Sequence, residues 1–172
     1  LNMSPMEINQ LYIPIANNGK GEKSHAIDRI VSARGETLWQ FEALDQQVIS
    51  TQAAYLLDFS LNKVTTSGTA RSLTWRLKDK VVAGKTGTTN DLRDSWFVGY
   101  DNQLLVTTWI GRDDNKPTKL TGSSGALVLF ADFMTKTGAI SRQANIPASV
   151  ELVRFDNKNG RPVTQACDNS QL

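Results

Sequence analysis

Cysteine occurs once in this chain, at Cys167, and histidine once, at His25. A single cysteine excludes an internal disulfide and any cysteine-built zinc site, and a single histidine excludes histidine-rich metal sites. His25 lies in a polar stretch and is expected on the surface, which also argues against a histidine-based triad. Charge of one sign is scarce as well: 19 basic against 17 acidic residues leave a net +2. That balance lacks the basic excess of a nucleic-acid binder, and no nucleic acid is expected as a partner. No stretch approaches the roughly 20 apolar residues of a membrane span; the densest short run is Ala126 to Ala131. No charged-then-apolar leader is visible either. The chain opens at Leu1, already on the approach to a helix, and reads as a piece of something larger whose signal or anchor lies elsewhere.

What is present is ordinary globular material. Of 172 residues, 40% are apolar and 21% charged, enough to bury roughly 70% of the unfolded surface. Ser4-Pro5-Met6-Glu7 combines a capping serine, a first-turn proline and a glutamate placed for a capping box. Ile8, Leu11, Tyr12 and Ile15 then fall on one apolar stripe. Pro14 is expected to kink or end this helix, and Asn17-Asn18-Gly19 to close it. Ala26 to Val31 and Glu36 to Phe41 read as two short strands. A second helix is expected from Ser50 or Thr51 to about Thr66, with Ala53, Leu57, Leu61 and Val64 inward and Gly68 as its stop. Lys80 to Thr88, Ser95 to Tyr100 and Leu104 to Gly111 follow as three strands, the last two joined as a hairpin. Arg112 to Leu120 is a polar loop, possessing Pro117. Gly122 to Gly125 open a third helix with Leu127, Phe130 and Met134 inward and Gly138 as its cap. Residues 1–138 form the main unit and 139–172 an extension with a small hairpin around Asn157 to Gly160. Helices against an antiparallel sheet make the class α+β.

One tract departs from core packing: Ala83-Gly84-Lys85-Thr86-Gly87-Thr88-Thr89-Asn90-Asp91. An ammonium, hydroxyls and bare backbone replace apolar side chains on a strand, where glycine often marks close approach of another chain. Lys85 brings charge and Thr86 and Thr88 bring hydroxyls suited to a carboxylate. An extended peptide ending in a carboxylate suits such a strand by β-addition; a solvated strand end is the plainer alternative. Gly84-Lys85-Thr86 also echoes a phosphate-binding loop, but that motif needs glycine where Asp79 stands and a helix directly after the threonine. No cofactor is expected. Ser60-Leu61-Asn62-Lys63 fits Ser-x-x-Lys, yet Ser60 falls late in a helix, away from free backbone donors, and reads as an ordinary helix serine. Trp96 and Trp109 sit on strands as core or groove walls.

With its context the tract becomes specific. Asp94-Ser95-Trp96-Phe97-Val98-Gly99-Tyr100 and Trp109-Ile110-Gly111-Arg112-Asp113 follow it, Gly68-Thr69-Ala70-Arg71 precede it, and Gly122 to Ala126 come after. Together with the Ser-Pro-Met-Glu helix, this order resembles the C-terminal half of the transpeptidase domain of class A penicillin-binding proteins, over about residues 1–138. Pro14 departs from the family, whose helix there is uninterrupted.

The resemblance implies a partial penicillin-binding, serine β-lactamase-like fold and a serine acyl-transfer enzyme of peptidoglycan synthesis. A serine attacks the D-Ala-D-Ala amide of a stem peptide, D-Ala leaves, a second stem's amine takes the acyl group, and β-lactams trap the intermediate. Carried over by motif, Lys85 serves the proton relay, Thr86 and Thr88 hold the substrate carboxylate, Gly87 lets the peptide backbone lie close, and the Thr88 N–H is an oxyanion donor. Such a donor is worth about 2.7–4 kcal/mol in the transition state. In a flat strand Thr86 and Thr88 would share one face and Lys85 the other. Ser-x-x-Lys and Ser-x-Asn precede Lys-Thr-Gly at a distance greater than the 84 residues available here, so the nucleophile and the N-terminal half of the domain are expected outside this chain, which alone would not turn over. The parent would also carry a glycosyltransferase domain and a membrane anchor, with this part in the periplasm. Two other readings stay open: a non-catalytic partner-binding module, and a serine β-lactamase. Cys167 would then be an odd cysteine in an extracytoplasmic protein, paired elsewhere or free.

Overall fold

The computed structural model describes residues 3–43, 46–156 and 159–163; Cys167 and its neighbours lie outside them. The first helix, α1 (Pro5–Ala16), starts as its sequence dictates. The Glu7 N–H donates to Ser4 Oγ at 3.3 Å and the Ser4 N–H to Glu7 Oε2 at 2.7 Å. The Ser4 N–H and the Ser4 hydroxyl, which donates to Glu7 Oε2 at 2.8 Å, lower the Glu7 carboxyl from its ordinary pKa. Pro14 does not end the helix. It sits in the last turn, where its missing N–H costs a single bond, and the chain continues to Ala16 before Asn18 and Gly19 turn it through positive φ.

Two small ribbons follow. β1 (Lys20–Gly21) pairs with β4 (Gln46–Gln47), a ribbon the sequence pattern did not suggest, and β2 (Arg29–Val31) pairs with β3 (Thr37–Gln40). The second ribbon is shorter than the expected runs and exposed on every residue. His25 is more than a solvated side chain: its ring stacks on Phe41 at 3.6 Å and its Nε2 lies 2.7 Å from Asp28 Oδ1.

Helix α2 (Thr51–Thr66) has the expected span, capped by Ser50. Its inward face is not the expected one. Ala54, Asp58 and Thr65 are buried, Val64 only borders the core, and Leu57 is 45% exposed. Polar partners decide this. Asp58 Oδ1 accepts Arg142 Nε at 2.8 Å and the Tyr100 hydroxyl at 2.9 Å, while the Thr65 hydroxyl donates to Val82 O at 2.6 Å. Buried polar groups with partners are tolerated where unpaired ones are not. A four-residue helix, α3 (Leu73–Arg76), occupies part of the connection between α2 and the main sheet and buries Leu73.

The main sheet is the expected meander: β5 (Ala83–Thr88), β6 (Ser95–Tyr100) and β7 (Leu105–Ile110), antiparallel, in that order. Asp101 Oδ1 accepts the N–H groups of Gln103 and Leu104 and so shapes the β6–β7 turn. Helix α4 (Ala126–Thr137) covers one face through fully buried Leu127, Phe130 and Met134, and ends at Gly138 with φ 81°. Phe97 of the sheet meets Phe130 with ring centres 4.7 Å apart, and Ala70, Leu73, Leu77 and Val82 close this core. Each such large side chain contributes about 1.5–3 kcal/mol on burial. On the other side of the sheet lies α1, where Asn9 Nδ2 donates to Leu105 O and to Thr107 Oγ1.

Past Gly138 the chain folds back: Val81 N donates to Ser141 Oγ, Arg142 N to Val81 O, and Ile140 N to Asp101 Oδ2. A bridge between Phe155 and Pro162 marks the terminal hairpin, whose Asn157 and Lys158 lie outside the described residues. The whole is α+β. Among the described residues no helix is long and apolar enough to cross a membrane.

Candidate functional site

The Lys-Thr-Gly-Thr tract occupies β5, an edge strand of the three-stranded sheet. Its first residues are structural. Ala83 and Gly84 are buried, and a Cβ on Gly84 would stand 2.6 Å from Val98 O and 2.7 Å from the Phe97 ring. From Lys85 onward the strand emerges, so function-bearing side chains sit at the solvent end of a strand anchored at the other.

Lys85 Nζ donates to the Thr86 carbonyl at 2.8 Å, which uses one of its N–H bonds. The Thr86 and Thr69 hydroxyls are 2.8 Å apart. Thr88 Oγ1 accepts the Gly122 N–H at 2.9 Å and keeps its own proton free to donate. Register pairs Lys85 with Val98, Gly87 with Trp96 and Thr88 with Ser95. A Cβ on Gly87 would touch Trp96 Cβ at 3.1 Å, so glycine leaves this part of the strand bare.

Behind the strand, residues 121–125 form a buttress. Ser95 Oγ donates to Thr121 O at 2.7 Å and accepts the Ala126 N–H at 2.8 Å. Gly122 lies directly on β5: a Cβ there would be 2.6 Å from Gly87 O and 2.7 Å from Trp96 O.

Between β5 and α1 opens a cleft of about 700 Å³. Lys85, Thr86, Gly87 and Thr88 line it on one side, Met3, Ile8, Leu11 and Tyr12 on another, and Trp96, Val98 and Trp109 form its floor and far end. The structure thus brings all four tract residues to one cleft. No serine lines it among the described residues. The Ser60 hydroxyl donates to Leu56 O at 2.8 Å, inside its own helix turn. Trp109 is a groove wall, 42% exposed. The polar loop at 112–120 does not line the cleft; its Thr118 donates through N and Oγ1 to Leu92 O. No group of three metal-capable side chains occurs among the described residues.

Sequence reasoning quoted Thr69, Asp94 and Gly122 within the flanking segments but gave them no contact: their partners Thr86, Trp109 and Thr88 lie 17, 15 and 34 residues away, beyond any periodic signal.

A model of the penicillin-binding protein transpeptidase domain matches residues 1–131. Penicillin-binding protein 1B of Haemophilus influenzae is 39% identical over 151 residues, 88% of this chain and 19% of that protein. Penicillin-binding protein 1B of Vibrio cholerae is 35% identical over 168 residues, 98% of this chain and 22% of that protein. The chain therefore spans about a fifth of the length of these curated relatives. Among solved structures, penicillin-binding protein 1A from Haemophilus influenzae superposes with a TM-score of 0.85 at 21% identity, over 95% of this chain and 31% of that one.

Proposed function

The chain belongs to the penicillin-binding protein transpeptidase family, and from that premise we propose that it supplies the Lys-Thr-Gly wall of a DD-transpeptidase site in a bifunctional, 1b-type peptidoglycan synthase. The single observation that carries the reading is the position of Lys85 to Thr88: an edge strand, bare at Gly87, bordering a cleft large enough for a peptide end.

In this reading a stem peptide ending in D-Ala-D-Ala lies along β5 by β-addition, close to Gly87. The hydroxyls of Thr86 and Thr88 donate to its terminal carboxylate. Thr69 can donate to Thr86 in turn, and chained hydroxyls polarise one another. Lys85 retains two N–H bonds for the carboxylate's field and for proton transfer at the serine. The Thr88 N–H faces the developing oxyanion. The attacking serine belongs to the N-terminal part of the domain, since Ser60 is turned into its own helix. β-Lactams occupy the donor position and acylate that serine. We place the domain on the periplasmic side of the inner membrane, with the glycosyltransferase domain and the anchor elsewhere in the parent. Residues 139–172 are an extension of the transpeptidase unit.

Intact mass after incubation with benzylpenicillin tests the assignment. The full-length protein carrying this sequence should gain one penicillin, and the 172-residue chain alone should gain none. An adduct on the isolated chain would make Ser60 the suspect and overturn the division of labour.

A further inference from the structure

The charge of the chain is unevenly spread. Residues 63–80 carry five basic side chains, Lys63, Arg71, Arg76, Lys78 and Lys80, against one acid, Asp79. Out of 19 bases and 17 acids in all, the remaining residues hold 14 and 16. The net +2 is therefore a +4 segment on a −2 remainder. All five bases are exposed, and among the described residues none meets a carboxylate within ion-pairing distance. The segment is also held in one shape. Leu73 and Leu77, one helical turn apart, are buried in the core with Ala70, which turns Trp75 outward. After α3 the chain passes Lys78 and Asp79 at φ 51° and 64°. The Asp79 N–H on Thr74 O at 2.9 Å and the Lys80 N–H on Leu77 O at 3.1 Å close that turn. Charge, not exposure, sets this face apart from a packing surface. Lysine and arginine are almost never buried without partners, and taking unpaired charges out of water is costly. Five such side chains keep this face in water when the rest of the domain is in place.

We propose, resting on the transpeptidase reading, that residues 63–80 form a track for the carboxylate-bearing stem peptides of a peptidoglycan strand, next to the stem held in the cleft. Placement supports that occupant. Thr69 belongs to this segment, and its hydroxyl stands 2.8 Å from that of Thr86 in the tract, so the basic segment adjoins the β5 edge. A strand with one stem peptide along β5 brings neighbouring stems, each ending in a carboxylate, to the surface beside that edge. Arg71, Arg76, Lys78 and Lys80 meet those carboxylates with charge-assisted hydrogen bonds. Trp75, among them, offers a flat apolar face to the sugar rings between stems. The segment's charge complements that of the polymer, and weak contacts repeated along one strand reinforce each other through effective concentration. The cleft selects the reacting stem; the track keeps the strand that bears it.

Binding of fluorescently labelled, uncross-linked peptidoglycan strands to the full-length protein, its cleft first acylated by benzylpenicillin, tests this. Arg76→Gln, Lys78→Gln and Lys80→Gln together should raise Kd about tenfold at low salt, the sum of three exposed charge contacts. The wild-type Kd should climb with salt, and that of the triple variant far less. Trp75→Ala should raise Kd about threefold. Strands with amidated stem carboxylates should bind the wild type as weakly as native strands bind the triple variant. Benzylpenicillin acylation, which needs only the cleft, should be unchanged throughout. Amidated strands probe the same charge on wild-type protein should the triple variant fail to fold. An unchanged Kd for the triple variant or for amidated strands would overturn the inference. So would a lowered melting temperature of the triple variant with strand binding intact, since the bases would then pair inside the parent. Loss of binding to phosphatidylglycerol vesicles alone would assign the patch to a membrane surface and overturn the track likewise. A wild-type protein that benzylpenicillin does not acylate would overturn the transpeptidase reading and the track with it, whereas an acylated one indifferent to strand charge would overturn the track alone.

Discussion

Thr88 Oγ1 accepts the backbone N–H of Gly122 at 2.9 Å, so the last residue of the Lys-Thr-Gly-Thr tract is fastened to the loop that leads into α4. Gly122→Ala would drive a Cβ against Gly87 O and Trp96 O, backbone atoms that cannot swing aside. Overpacking of this kind costs about 1–3 kcal/mol. Urea unfolding should show that loss, together with slower penicillin acylation. Thr88→Ser keeps the acceptor oxygen and should unfold close to wild type, whereas Thr88→Val should lose about 1 kcal/mol.

The Asp58–Arg142 pair is 5% and 10% exposed at its side chains, and the Tyr100 ring lies under the Arg142 guanidinium at 4.9 Å. Arg142→Ala strands a buried carboxylate and should destabilise by about 3–5 kcal/mol. Denaturant titration of the single variant and of Asp58→Ala with Arg142→Ala together checks this, because the double variant should recover part of the loss.

Burial first, and then the Asp58 carboxylate, push the Tyr100 phenol far above its ordinary range. The folded state favours the neutral phenol, so this stabilisation is complete below about pH 10, the unfolded value, and drains away as pH climbs beyond it. Melting temperature measured from pH 8 to 11 should fall steeply in the wild type and less steeply in Tyr100→Phe.

Lys85→Ala should lower acylation of the full-length protein by about 10²–10⁴-fold if Lys85 serves proton transfer. Stopped-flow trapping with a fluorescent penicillin measures it. A change under threefold would remove Lys85 from the mechanism.

Ser60→Ala should leave the acylation rate at its wild-type value and stability within about 0.5 kcal/mol, because the hydroxyl only bonds back to Leu56 O on an exposed helix turn. Loss of the penicillin adduct would contradict this.

What the sequence disclosed followed locality. Helix α4 was legible because Leu127, Phe130 and Met134 repeat at helical spacing and Gly138 ends it, and the β6–β7 hairpin because only a short polar turn separates two apolar runs. The span of α2 was legible from Ser50 and Gly68, yet its inward face was not. Asp58 is drawn in by Arg142, 84 residues later, which no window of periodicity contains. The tract at Lys85 to Thr88 stood out by composition. Its fasteners did not: Thr88 meets Gly122 across 34 residues, and Asp94 reaches Trp109 across 15. Pro14 misled because its effect depends on distance from the helix end, which the sequence marks only loosely.

The two walls of the cleft are made far apart in time. Asn9 on α1 meets Leu105 and Thr107 on β7 across 96 and 98 residues. Closing so long a loop is entropically uphill until the contacts that reward it exist. During synthesis α1 leaves the ribosome with its sheet-facing side uncovered and waits while α2, β5 and β6 emerge. At about 5–20 residues per second that interval lasts on the order of 5–20 s, during which the helix is a natural target for chaperones, and the cleft comes into being only as the strand carrying Trp109 arrives.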